Sequence, residues 1–303
     1  MSRHGSTAPH PAVNERATGP AGLHLPTGWR MLQHHDVGPF TTSAVLESPD
    51  GEQVEWTSRR HRKGLGFAAR RDGARPLRRA SATSWWIGAL FAIGSICFAV
   101  GSLPLFFDHV DPAVDAWTFF VGSIFFTSAA FLQFHESASA PTGVTPDSPR
   151  PRRLAALVGW RPRSIDWWAG AVQLVGTVWF NVSTFAATRA DLSAGQVRHL
   201  VWAPDVWGSI CFLVASWLAY SEANHRVLPR PDGSVGWWIA ALNMVGSIAF
   251  GLSAIGARAL RTTGETANIA LVNTGTFLGA VCFLVGAVLL PVESARDRAS
   301  GAT

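Results

Sequence analysis

Charge is what this sequence has least of. Asp, Glu, Lys and Arg make up 15% of its 303 residues, where a soluble domain carries about 25%. The 48% of hydrophobic residues are concentrated: after about residue 83 they form long runs separated by short polar loops, a pattern no soluble core requires. Cysteine is also scarce. Cys97, Cys211 and Cys282 all fall inside apolar runs and none forms a CxxC, so neither a disulfide framework nor a thiolate metal site is indicated. The first 30 residues contain no apolar stretch of signal-peptide type, which places the N-terminal segment on the cytoplasmic side. HExxH, GxxxxGK[ST] and GxSxG are missing, and no catalytic, cofactor-binding or metal-ligating residue is expected. Histidines 109, 135, 199 and 225 stand near the ends of the runs, so no pair is placed for haem.

What is present is a set of six apolar stretches: about 85–107, 117–134, 167–188, 201–220, 236–257 and 268–290. Each has the roughly 20 residues that a helix rising about 1.5 Å per residue needs to cross about 30 Å of hydrocarbon. The fourth is the least clean, because Asp205 lies near its start. The expected fold is an all-α integral membrane protein with six transmembrane helices. Outside those stretches 21 Lys and Arg residues fall on one side and 4 on the other, and the positive-inside rule puts both termini in the cytoplasm of a multi-pass cell-membrane protein. Trp85-Trp86, Trp167-Trp168 and Trp237-Trp238 each open an odd-numbered span and read as anchors at the headgroup level.

The spans repeat. Counting from the first Trp of each pair, Gly94, Gly176 and Gly246 come nine residues on and Phe98, Phe180 and Phe250 thirteen. The small residues Gly101, Ser183 and Ser253 follow at sixteen. In the even spans Gly122, Gly208 and Gly279 are followed by Phe126, Phe212 and Phe283 at plus four, and by Glu136, Glu222 and Glu293 at plus fourteen. This regularity argues for three copies of a two-helix hairpin, inserted in parallel because each copy has an even number of spans. Small residues seven apart keep a flat stripe against a neighbouring helix, which is how helices attract one another in lipid.

Ionisable residues at depth would mark an ion path, and there are almost none. The polar residues that remain are Gln173 and Asn243 at one repeat position, Asn181 eight residues beyond Gln173, and Asn268 and Asn273 near the start of the sixth span. Gln173, Asn181 and Asn243 are the candidate polar intramembrane site, with amide bonds between helices as the plainer reading. Glu136, Glu222 and Glu293 at the helix ends are expected to pair with nearby bases such as Arg161, Arg163, Arg226 or Arg296; the sharper alternative is a carboxylate ring for a hard divalent cation.

The organisation expected along the chain begins with a disordered tail (1–37) and a basic juxtamembrane segment (38–83). Within that segment Phe40–Glu47 and Gln53–Thr57 can form a short hairpin around Ser48-Pro49-Asp50-Gly51-Glu52. Hairpins at 84–136, 166–222 and 236–293 follow, joined by a flexible linker (137–165) and a loop (223–235) and closed by a tail (294–303). Arg59, Arg60, Arg62, Lys63, Arg70, Arg71, Arg75, Arg78 and Arg79 stand just before the first span and read as a contact surface for anionic lipid of the cytoplasmic leaflet, not for nucleic acid.

The Trp-Trp openings, the Gly-Ser/Thr-x-x-Phe elements and the run Gln173-Leu174-Val175-Gly176-Thr177-Val178-Trp179-Phe180 through Phe185 resemble uncharacterised multi-pass membrane proteins of actinobacteria and the YrhK-type two-helix hairpin domain. That resemblance covers 84–136 and the later spans, and it implies a membrane fold without an assigned activity. The expected role is an integral membrane scaffold or accessory protein, with membrane lipids and a homo-oligomer as partners; the alternative is a small channel or carrier for a neutral or weakly polar solute. A lipid-acting enzyme is disfavoured by the lack of paired acids, bases or nucleophiles at depth.

Overall fold

The computed structural model describes residues 18–67, 80–145, 147–152, 157, 159–226, 231, 233–258 and 266–300. Six long helices dominate them: α2 (Ala82–Gly101), α3 (Pro112–Ala138), α4 (Ile165–Ala187), α5 (Ala203–Asn224), α6 (Val235–Gly256) and α7 (Ile269–Ser300), after a short helix α1 (Ser58–Arg62). Each long helix packs against its sequence neighbours and α7 returns to α2, which closes a ring. Their starts are capped as the sequence allows: Ser81, Asp111, Ser164 and Ser234 each accept a backbone N–H of the first turn. Pro104, just after α2, stops that helix short of the expected end at 107. At α5 a wide turn over Val197–Trp202 leads into the helix, and Asp205 lies in its first turn.

Among the described residues five stretches are long and apolar enough to cross a membrane: Ala82–Gly101, Pro112–Ala138, Ala194–Asn224, Val235–Gly256 and Ile269–Ala299. The protein is therefore a multi-pass helical membrane protein. Helix α4 contains Asp166, Gln173 and Asn181 and is not among the five, although it holds its place in the ring. Burial is distributed as lipid solvation demands. Branched aliphatic residues such as Ile96, Val178, Ile248 and Val288 point outward, while Ser95, Ser123, Thr177 and Ser247 are buried.

The glycines explain how closely the ring packs. A Cβ on Gly94 would meet the carbonyl oxygen of Gly122 at 2.9 Å, one on Gly176 that of Gly208 at 3.2 Å, and one on Gly246 that of Gly279 at 3.1 Å. Only a residue without a side chain lets the backbones approach so far. Each cysteine lies in one of these crossings: Cys97 faces Gly122, Cys211 faces Gly176 and Cys282 faces Gly246. The phenylalanines four residues after the glycines fill the axis. Phe98, Phe180 and Phe250 form a triangle with ring centroids 5.8–6.3 Å apart, and Phe283 lies 6.1 and 6.2 Å from Phe126 and Phe212.

At one end of the ring sits a three-stranded antiparallel sheet, β1 (Arg30–Val37), β2 (Phe40–Glu47) and β3 (Gln53–Thr57), in the order β1-β2-β3. β2 and β3 occupy the two runs read as strand-like. β1 corrects the expectation of a disordered tail through residue 37, and residues 1–17 lie outside the described residues. Seven of its eight residues are exposed, so the strand carries no alternating apolar signal and is held by pairing with β2. Trp56, Leu46, Ala44 and Leu23 form the small core of this unit together with Val144, which comes from the segment expected to be a flexible linker. Its first residues are tied down: Val144 donates its N–H to the carbonyl of His24 at 3.2 Å, and Ala138 and Ala140 are buried. Arg161 donates to the carbonyl oxygens of Ala138, Ala140 and Pro141, terminating α3.

Candidate functional site

The chain passes from β3 directly into α1, with Thr57 as its cap, and α1 lies across the sheet end of the ring. Arg59, Arg62 and Lys63 are spaced i, i+3 and i+4, so they share the face turned toward the bundle. Arg59 Nη2 is 2.7 Å from Glu293 Oε1, and Lys63 Nζ is 2.8 Å from Glu293 Oε2 and 2.7 Å from Asp297 Oδ2. Arg62 Nε stands 3.5 Å from Glu136 Oε2 while its Nη1 is ion-paired with Asp166 Oδ1. Ser58 donates its hydroxyl to Glu222 Oε1 at 2.5 Å. The three glutamates that recur at plus fourteen thus meet one five-residue helix and the lysine after it.

This arrangement is dry. Asp166, Glu222 and Glu293 are 3%, 3% and 5% exposed, and the side chains of Arg62 and Lys63 12% and 8%. Burial alone would lower the pKa of Arg59 and Arg62, but the surrounding carboxylates outweigh it and hold both above the ordinary arginine value. Arg60 turns the other way and donates to the carbonyls of Asp297, Leu65, Gly66 and Phe67. Arg59, Arg60, Arg62 and Lys63 therefore do not form the expected lipid-contact surface: a run of bases satisfies buried carboxylates as readily as it meets a headgroup, and here it does the former. Arg70, Arg71, Arg75, Arg78 and Arg79 lie outside the described residues. The glutamates likewise bond to α1 and not to Arg161, Arg163, Arg226 or Arg296. No group of three or more His, Cys, Asp or Glu suited to a metal ion occurs among the described residues.

The expected polar site is divided. Gln173 and Asn243 line one cavity of about 60 Å³, joined by Gln133, which the sequence reading did not single out. Arg59, Arg62, Asp166 and Glu222 close it on the sheet side, and Phe91 and Phe283 line it toward the axis. Beyond lies the aromatic cluster, where only about 20 Å³ of space remains. Asn181 is elsewhere: its Nδ2 donates to Thr127 Oγ1 at 2.9 Å, fastening α4 to α3. Asn268 uses its Oδ1 to accept the N–H of Leu271 at the start of α7.

The clamp was present in the sequence as two separate signals, three acids in one register and three bases on one helical face. Five residues are too few for a hydrophobic period to announce a helix, so nothing joined them.

Comparisons with family models, with curated proteins and with solved structures find no match for this chain.

Proposed function

We propose that the protein is an integral membrane scaffold whose bundle holds the β1-β2-β3 unit firmly against the membrane surface, where that unit is presented to partners. The observation that carries this reading is the α1 clamp: one helix of the sheet unit engages a glutamate from α3, from α5 and from α7. A device that merely tethered a domain would need only the covalent link.

In the fuller form of the proposal all six helices span, as three hairpins inserted in the same direction. The equivalent glycine crossings within α2–α3, α4–α5 and α6–α7 support that reading, and so do the outward-facing Val175, Val178 and Val182 on α4. The charge count of 21 against 4 supports placing the sheet end and both termini in the cytoplasm. Contact with anionic lipid is assigned to Arg70, Arg71, Arg75, Arg78 and Arg79, and a homo-oligomer is one partner the scaffold could serve.

The alternative is a carrier for a small polar solute, favoured by one observation, the shared cavity of Gln173 and Asn243. At about 60 Å³ that cavity is well below the roughly 300–1,000 Å³ of typical ligand pockets, and phenylalanines fill the axis beyond it. Flux of small neutral solutes into liposomes separates the two readings. The scaffold reading expects no flux above protein-free liposomes, and unchanged behaviour for Gln173→Leu and Asn243→Leu apart from stability. Solute uptake that both substitutions abolish while the protein stays folded would replace it with the carrier.

A further inference from the structure

A second and much larger cavity, about 630 Å³, opens between the sheet unit, residues 140–142 and 159–164, and the sheet end of the bundle. Its size falls within the range of small-molecule sites. Two kinds of side chain line it. Arg62, Arg161 and Arg163 supply positive charge against one carboxylate, Asp166, which is already ion-paired with Arg62. Trp160, 68% exposed, supplies flat apolar surface.

The arginines are not equivalent. Arg161 gives one N–H each from Nε, Nη1 and Nη2 to backbone carbonyls, which neutralise none of its charge and leave one N–H on each Nη. Arg163 is exposed and has no acidic partner among the described residues; its guanidinium lies over Gly22, where a Cβ would come within 2.9 Å of Nη1. Two guanidinium charges are therefore without an acidic partner among the described residues at one cavity wall. Trp56 is 2% exposed and backs the cavity wall. His61 also lines the cavity, and its Nε2–H donates to the carbonyl oxygen of Pro141 at 3.1 Å, adding no carboxylate.

We propose that this cavity binds a phosphate monoester, with Arg161 and Arg163 holding the phosphate and Trp160 covering the apolar remainder. Two unmatched guanidinia balance a dianion better than a monocarboxylate, and a phosphate monoester carries about −1.5 to −2 at pH 7. Planar guanidinium forks bind phosphate oxygens in pairs. A divalent cation is repelled by the same wall. The cavity lies beside Trp168 and near the ends of α3 and α4, so the same chemistry can come from a soluble ester or from the headgroup of phosphatidic acid. This inference does not depend on the scaffold reading.

The test uses the full chain in nanodiscs of phosphatidylcholine. Glycerol 3-phosphate is titrated by calorimetry, and in a second arm phosphatidic acid is incorporated into the disc and its retention read by native mass spectrometry. Arg163→Gln, on an exposed side chain that fastens nothing, is expected to weaken binding at least tenfold, the loss typical of one charge-assisted hydrogen bond. Arg163→Lys should recover part of it, and Arg189→Gln at the opposite end should leave binding unchanged. Arg163-dependent binding of glycerol 3-phosphate identifies a soluble ester, and such binding of phosphatidic acid alone identifies the lipid. Binding of neither, or binding that Arg163→Gln leaves intact, overturns the proposal.

Discussion

Glu293 is the most heavily used carboxylate of the clamp, and replacing it with Gln keeps its shape while removing its charge. Two cations each lose a carboxylate partner at once, Arg59 at 2.7 Å and Lys63 at 2.8 Å, in a place where the Glu293 side chain is about 6% exposed. Stripping one member from a buried ion pair costs about 3–5 kcal/mol, because the remaining charge stays desolvated. Lys63 keeps Asp297 at 2.7 Å and Arg59 keeps the attraction of Glu222, so the lower end, about 3 kcal/mol, is expected. The loss falls on docking of α1 and not on the ring, so hydrogen exchange is the appropriate assay. In Glu293→Gln the amides of residues 58–63 should exchange about a hundredfold faster, with α2 through α7 unaffected. Arg59→Gln should behave similarly, and the double variant should lose less than the two single losses together, since neighbours in one network are not additive. Exchange at α1 that changes less than threefold in Glu293→Gln would refute the clamp. Asp191→Asn, on a 76% exposed side chain at the far end, is the control.

Two further perturbations follow from the same geometry. Burial lowers the His61 pKa to about 4 from 6.5, so between those values the unfolded chain binds a proton that the folded chain does not. Stability of the sheet unit is then complete above pH 6.5 and declines as pH falls toward 4, by up to about 3 kcal/mol for this gap, and His61→Gln should flatten that decline when exchange of residues 30–57 is followed against pH. In the ring, Gly208→Leu would drive a side chain into Phe180 and into the carbonyl of Gly176, 3.1 Å from the new Cβ. A cost of about 1–3 kcal/mol and a lower Tm in detergent are expected, whereas Gly195→Ala, which meets nothing within 4 Å, should be silent.

Much of the membrane part was legible because lipid imposes coarse rules. Hydropathy located most helix ends to within a few residues; α2 ends early at Pro104 because proline acts locally where hydropathy averages, and α7 runs on to Ser300, through the start of the expected tail, because a helix continues into polar sequence that hydropathy does not count. The repeated Gly and Phe positions announced close packing, but which helix each glycine faces is a property of the ring. The sheet end was less legible. β1, with the sequence RMLQHHDV, has no alternation because only one of its residues is buried. The bases at 59–63 were misread because charge in a sequence does not say what it faces; Gln173 and Asn243 share a cavity as their common register suggested, while the eight-residue spacing that added Asn181 ignored Thr127 on the neighbouring helix.

Rigid attachment of the sheet unit to the bundle is the central claim, and a spin-label distance measures it directly. Labels at Asp50→Cys, on the exposed β2–β3 turn, and at Asp191→Cys, at the opposite end, would be read in lipid nanodiscs with Cys97, Cys211 and Cys282 replaced by Ala. A single narrow distance distribution is expected, broadening when Glu136, Glu222 and Glu293 are together changed to Gln. A distribution already broad in the parent protein, or one that the triple change leaves narrow, would contradict the account.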